Sequence, residues 1–155
     1  MVFAQSIFKI LLVLHLAAAV VLLGSSTHNV LVLIGMNGKS EKSIKVEQKF
    51  AAISFYAFLV CFIIGMVVYP AFRHYVQALY FEASLPWATG MFEIKEHLLA
   101  LAFVAGLGHY LLRGRVNPFA DKEMRVLYKL LAIVFWAIVV YSSISGAALT
   151  MFRSY

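Results

Sequence analysis

The sequence predicts an all-α integral membrane protein: a four-helix bundle with an interfacial segment between helices two and three. Two observations predict it. The first is composition. Of 155 residues, 63% are hydrophobic and only 13% are charged, and mean hydropathy is +0.89. Soluble domains carry about 25% charged residues, so this chain has too little polar surface to be solvated by water alone. The second is the presence of four long apolar runs, at 10–36, 50–72, 98–112 and 130–152, none of which contains Asp, Glu, Lys or Arg. A spanning helix needs about 20 residues, and an open chain with unpaired backbone groups cannot cross lipid in any other form.

The four helices are expected at about 7–36, 49–72, 91–113 and 126–152, all within one transmembrane domain covering 1–155. The first run is too long for the apolar core of a signal peptide, and it reads as a true first span. The third run is the short one. It spans only if Glu93, Lys95, Glu96 and His97 enter the helix. Segment 73–90, rich in Tyr and Trp, reads as an interfacial helix on the outer surface, broken at Pro86.

Charge sets the expected orientation. Loop 37–49 holds Lys39, Lys42, Lys45 and Lys49, and loop 113–129 holds Arg113, Arg115, Lys122, Arg125 and Lys129. Cytoplasmic loops carry the excess of Lys and Arg. Both loops are therefore placed in the cytoplasm and both termini outside, in a multi-pass protein of a bacterial inner membrane. The net charge of +6 is explained by these loops and does not indicate a nucleic-acid partner. The lone Cys61 lies in an apolar run and reads as a small buried hydrophobe.

Candidate chemistry centres on histidine. Four of the five, His15, His28, His97 and His109, fall in helices one and three, and ionisable groups within spans are costly and tend to be functional. Helices one and three run in the same direction. His15 and His97 lie in the outer halves, and His28 and His109 in the inner halves. The two levels are roughly 18–20 Å apart. The segment MFEIKEH adds a second signal. Glu93 and His97 stand one turn apart, where a carboxylate could orient the ring. Lys95 and Glu96 at the same depth suit a quinone headgroup or a proton relay, unless the group snorkels and pairs with itself.

This arrangement resembles the membrane-integral b-type cytochromes, which hold heme between co-directional helices with one His from each. The resemblance implies heme b, one or two per chain. His15 and His97 would ligate the first iron, and His28 and His109 a second. Gly24, Ser25, Ser26, Gly106 and Gly108 would leave room for the macrocycle. Arg73 and His74 outside, with Arg113 and Arg115 inside, would meet the propionates. It departs from that family in phase. His15 and His28 are 13 positions apart, and His97 and His109 are 12. At about 100° per residue those spacings rotate the second ligand by about 220° and 120°. One heme, on His15 and His97, is therefore favoured.

The segments FKILLVLHLAAAVVLLG and FEIKEHLLALAFVAGLGHYLLRGR also resemble helices one and three of two small bacterial families, the heme-containing protoporphyrinogen oxidases and the CopD-type proteins. That second resemblance implies porphyrinogen oxidation at a bound heme.

The bland readings stand beside these. His28 could bond nearby backbone, His109 could snorkel, and His74 could be interfacial. Glu82 could be an exposed loop acid. Tyr69, Tyr75, Tyr80, Trp87, Tyr110 and Tyr128 could form an aromatic belt. No HExxH, paired CxxC, phosphate-cradling Gly loop or G-x-S-x-G occurs, so a hydrolase or nucleotide-driven pump has no support. Three functional expectations follow. One is an electron-transfer subunit working between a quinone pool and other subunits of a respiratory-type complex. The second is a porphyrinogen oxidase. The third is a heme-free scaffolding subunit whose histidines pack or snorkel. Membrane lipid is a partner in all three.

Overall fold

The computed structural model describes residues 2–35, 41–115 and 122–152, with the side chains of residues 2–6 excepted. The expected helix end at residue 36, Lys39, and part of the second basic loop lie outside the described residues. The described chain is all helical. Helix α1 spans Val2–Gly35 and α2 spans Glu41–Phe72, while α3 spans Pro86–Leu112 and α4 spans Lys122–Phe152. Three of them, α1, α2 and α4, are long and apolar enough to cross a membrane.

The helices begin earlier than hydropathy alone suggests. Helix α2 starts at Glu41, so most of the charged segment read as a loop is its first two turns. Glu41 in that first turn complements the positive end of the helix dipole. Helix α3 starts at Pro86, which occupies the first helical position, where its missing N–H is no loss. The charged residues Glu93, Lys95 and Glu96 therefore lie inside α3.

The segment between α2 and α3, expected as an interfacial helix, is helical. It continues α2 directly. Pro70, inside α2, removes one donor from the helical ladder. From Arg73 the helix widens into a π-helix, Arg73–Phe81, followed by one α turn, Glu82–Ser84. Bonds of i→i+5 type bring residues five apart into line. Val76 and Phe81 thus share a buried face and pack with Ala88 of α3 and Leu149 of α4. The chain breaks at Leu85 (φ −143°, ψ 67°), just before Pro86, where proline disfavours the α region for the residue preceding it.

Around the bundle, α1 packs on α2 and α4, and α3 packs on α4 and α2. Helices α1 and α3 occupy opposite corners. The middle of the interior is apolar: Leu22, Phe58, Ala102, Ala105, Phe135, Ile138 and Val139 form one cluster. Phe58 and Phe135 meet edge to face, with centroids 5.5 Å apart. Helix α3 approaches α4 closely because Gly106 has no side chain. A Cβ there would come within 2.8 Å of the Phe135 ring.

Candidate functional site

Toward the basic end of the bundle, each long helix places one polar side chain in a single buried layer. These are Asn29 from α1, Glu47 from α2, His109 from α3 and Tyr128 from α4, all at most 3% exposed. Such groups are costly inside an apolar bundle unless they satisfy one another, and here they do so around Glu47. Asn29 donates through Nδ2 to the Glu47 carbonyl at 3.1 Å and to its Oε1 at 3.0 Å. The Tyr128 hydroxyl donates to the same Oε1 at 2.8 Å. With Nδ2 committed, Asn29 turns Oδ1 toward His109, whose Nε2–H donates to it at 3.1 Å. His109 Nε2 also lies 3.4 Å from Glu47 Oε1. The Tyr128 ring packs against the imidazole, with centroids 4.3 Å apart. His109 Nδ1 is buried with no partner.

The local sequence explains why α1 and α2 come close enough to build this layer. Ser25 and Ser26, one turn before Asn29, bond carbonyls of their own helix at 3.2 Å. They present small surfaces and leave no polar group unsatisfied. Val30, Leu33 and Ala132 pack around Tyr128, and Trp136 of α4 donates to Thr27 of α1 at 3.0 Å.

Away from the basic end, the bundle repeats the pattern more loosely. His15 lies against α2, with Cys61 Sγ at 3.7 Å from Nδ1 and 3.8 Å from Nε2. Its ring also fills the space over Gly65, where a Cβ would come to 3.2 Å. The Lys95 ammonium lies against Gly146 of α4, 3.4 Å from where a Cβ would stand. His15 and Asn29 are 14 positions apart, as are Cys61 and Glu47, and Lys95 and His109. Fourteen residues rise about 21 Å and fall only about 40° short of four full turns. Each pair therefore shares a helix face at two depths.

This geometry separates the histidines expected to act together. His97 is exposed, and its Nδ1–H donates to the Glu93 backbone carbonyl at 2.7 Å, not to the Glu93 carboxylate as expected. His28 is exposed, with its ring 4.0 Å from Phe50. The two imidazoles that face the interior, His15 and His109, sit at different depths, whereas two axial ligands of one iron must share a level. On α3 the space expected for a macrocycle is also filled, whereas Gly24 of α1 faces open space. Phe135 occupies the notch at Gly106, and Leu131 stands 3.3 Å from a Cβ at Gly108. The residues present do not fit a bis-histidine heme at either level. The quinone expectation also loses its convergence. Glu93 is exposed, Lys95 turns toward Gly146, and Glu96 bonds the Tyr69 hydroxyl. Arg73 donates to that same Tyr69 hydroxyl at 2.9 Å. Arg113 lies over the Tyr110 ring, 3.9 Å from its centroid. Glu82 is exposed.

Sequence reading missed Asn29, Glu47 and Tyr128. Glu47 sits in a charged segment that hydropathy reads as loop, and Tyr128 falls where the aromatic belt is expected. The 14-residue offset between polar positions was the available signal. Among the described residues no group of three or more His, Cys, Asp or Glu could hold a metal ion. The two family resemblances rest on the quoted segments alone: the chain matches no family model, no curated protein and no solved structure.

Proposed function

We propose that this chain is a four-span membrane subunit that works without a porphyrin and is held in a larger membrane assembly. The observation that carries the reading is the divergence of the histidines: His28 and His97 face outward, and His15 and His109 face inward at different depths. His15 lies against Cys61 and Gly65, and His109 is held through Nε2 by Asn29.

The fourth span is α3. Its 27 residues rise about 40 Å, enough for a hydrocarbon core of about 30 Å, and Lys95 is accommodated by turning toward the bundle. The basic ends of α2, α3 and α4 lie together and face the cytoplasm by the positive-inside rule. The role in an assembly is supported by the exposed apolar faces of the described helices. The interior polar layer fixes the mutual register of the four helices, a use of buried polar groups with good precedent. The outward faces, carrying Val13, Leu16, Val20 and Val104 among others, are left for lipid and neighbouring helices.

Two measurements test this. The chain purified from membranes is expected to show helical circular dichroism and no reduced b-type α-band. One heme per chain, lost in His15→Ala and His97→Ala but kept in His28→Ala, would overturn the reading in favour of quinone-linked electron transfer. Porphyrinogen oxidation by the chain alone would overturn it in favour of an oxidase. In native electrophoresis of mildly solubilised membranes the chain is expected well above its own mass. Migration as a lone chain contradicts the assembly role.

A further inference from the structure

At the basic end of the bundle, on the outside, α2 and α3 carry a compact aromatic and cationic patch that the interior layer does not use. The hydroxyls of Tyr56 and Tyr110 are 2.7 Å apart. Each hydroxyl has one proton, so one donates to the other and a second O–H remains unspent at an exposed position. The Arg113 guanidinium stacks over the Tyr110 ring at 3.9 Å. It spends one N–H on the Tyr110 carbonyl at 3.0 Å, from a fork that offers five.

The patch is held in place from behind. Gln48 donates to the Arg113 carbonyl at 2.6 Å, and Phe55 stacks on Tyr110 with centroids 4.9 Å apart. Lys49, also exposed, stands seven positions before Tyr56 on the same face of α2, two turns nearer the rim. On α3, Phe103 lies seven positions before Tyr110, about 10 Å deeper. It is 39% exposed and neighbours Phe55 at 6.3 Å. The result is an uncommitted hydroxyl and a stacked guanidinium at the rim, with an aromatic surface running from them toward the apolar middle.

We propose that this patch binds an anionic phospholipid. The headgroup phosphate meets Arg113 and the free hydroxyl of the Tyr56–Tyr110 pair, and an acyl chain lies along Phe103. Guanidinium and phosphate make charge-assisted bonds, and basic residues at this level draw anionic lipids. Free phosphate would satisfy the rim groups but leave the Phe103 surface unused, so the lipid is the source chosen. The proposal rests on the reading that α2 and α3 span the bilayer.

Native mass spectrometry of the full chain in detergent tests it. The chain is titrated with dioleoylphosphatidylglycerol, with dioleoylphosphatidylcholine and with inorganic phosphate. Phosphatidylglycerol is expected to bind more tightly than phosphatidylcholine. Arg113→Gln is expected to weaken it about fivefold, the worth of one basic residue at the membrane surface. Tyr110→Phe is expected to weaken it less, with circular dichroism unchanged. If Arg113→Gln does not fold, Tyr56→Phe, which removes only an exposed hydroxyl, carries the test. Equal affinity for the two lipids, or unchanged phosphatidylglycerol binding in folded variants, overturns the proposal, as does displacement of the lipid by millimolar phosphate. A chain that extracts from membranes without detergent would instead defeat the spanning reading.

Discussion

Glu47→Ala is expected to lower the unfolding free energy by about 3 kcal/mol in reversible detergent unfolding. Glu47 is 1% exposed, and its Oε1 is the common acceptor for Asn29 and Tyr128. Truncation orphans the buried Tyr128 hydroxyl and leaves a void at the junction of four helices. Two bonds survive, because Asn29 still donates to the residue 47 carbonyl and His109 still donates to Asn29. The loss is therefore confined to the carboxylate. Glu47→Gln keeps an acceptor oxygen in nearly the same place and is expected to cost less than about 1.5 kcal/mol. The ordering of the two variants carries the argument. A Glu47→Ala protein as stable as the parent would mean that the carboxylate is not the hub of the layer.

Gly106→Val is expected to destabilise by about 3 kcal/mol through overpacking. A Cβ at residue 106 would lie 2.8 and 2.9 Å from two atoms of the Phe135 ring. That ring cannot retreat, because Phe135 is 4% exposed and wedged against Phe58. Valine adds two methyl groups beyond that Cβ, so α3 and α4 must separate or the ring must leave its rotamer. The double variant Gly106→Val with Phe135→Ala is expected to recover at least about 1 kcal/mol relative to Gly106→Val alone. Recovery would show that the glycine notch is occupied by a side chain of this protein. No recovery, or no effect of the first substitution, would reopen that space for a ligand.

The helical architecture was legible because it depends on composition and run length, which local sequence carries. The phase of the histidines was legible too. Spacings of 13 and 12 imply that His15 and His28 cannot share a face, nor can His97 and His109. The structure turns one of each pair outward. What could not be read was which one. That depends on packing partners from other helices: Cys61 and Gly65 beside His15, and Asn29 and Glu47 beside His109. Matching depth alone paired the histidines by type, whereas the interior pairs His15 with Cys61 and His109 with Asn29.

The extent of α2 was also obscured. Glu41, Lys42, Lys45 and Lys49 look like loop in a hydropathy reading, yet they sit on two helical turns whose buried member is Glu47. A helix carrying mixed charges at its end has no apolar run to announce it. The π-helix after Pro70 is similar. Proline marks that the ladder is disturbed, but not that it resumes with wider spacing and buries Val76 and Phe81. Gly106 and Gly108 are expected from the resemblance to leave room for a macrocycle, whereas the groups against them are Phe135 and Leu131 of α4.

One buried layer, centred on Glu47, ties the four helices together. A double-mutant cycle of Glu47→Ala with Tyr128→Phe measures it most directly, by unfolding free energy in detergent. The two substitutions are expected to overlap, with a coupling of at least about 1 kcal/mol, because each removes the same bond. Additivity within about 0.3 kcal/mol would contradict it, since the hydroxyl and the carboxylate would then act independently.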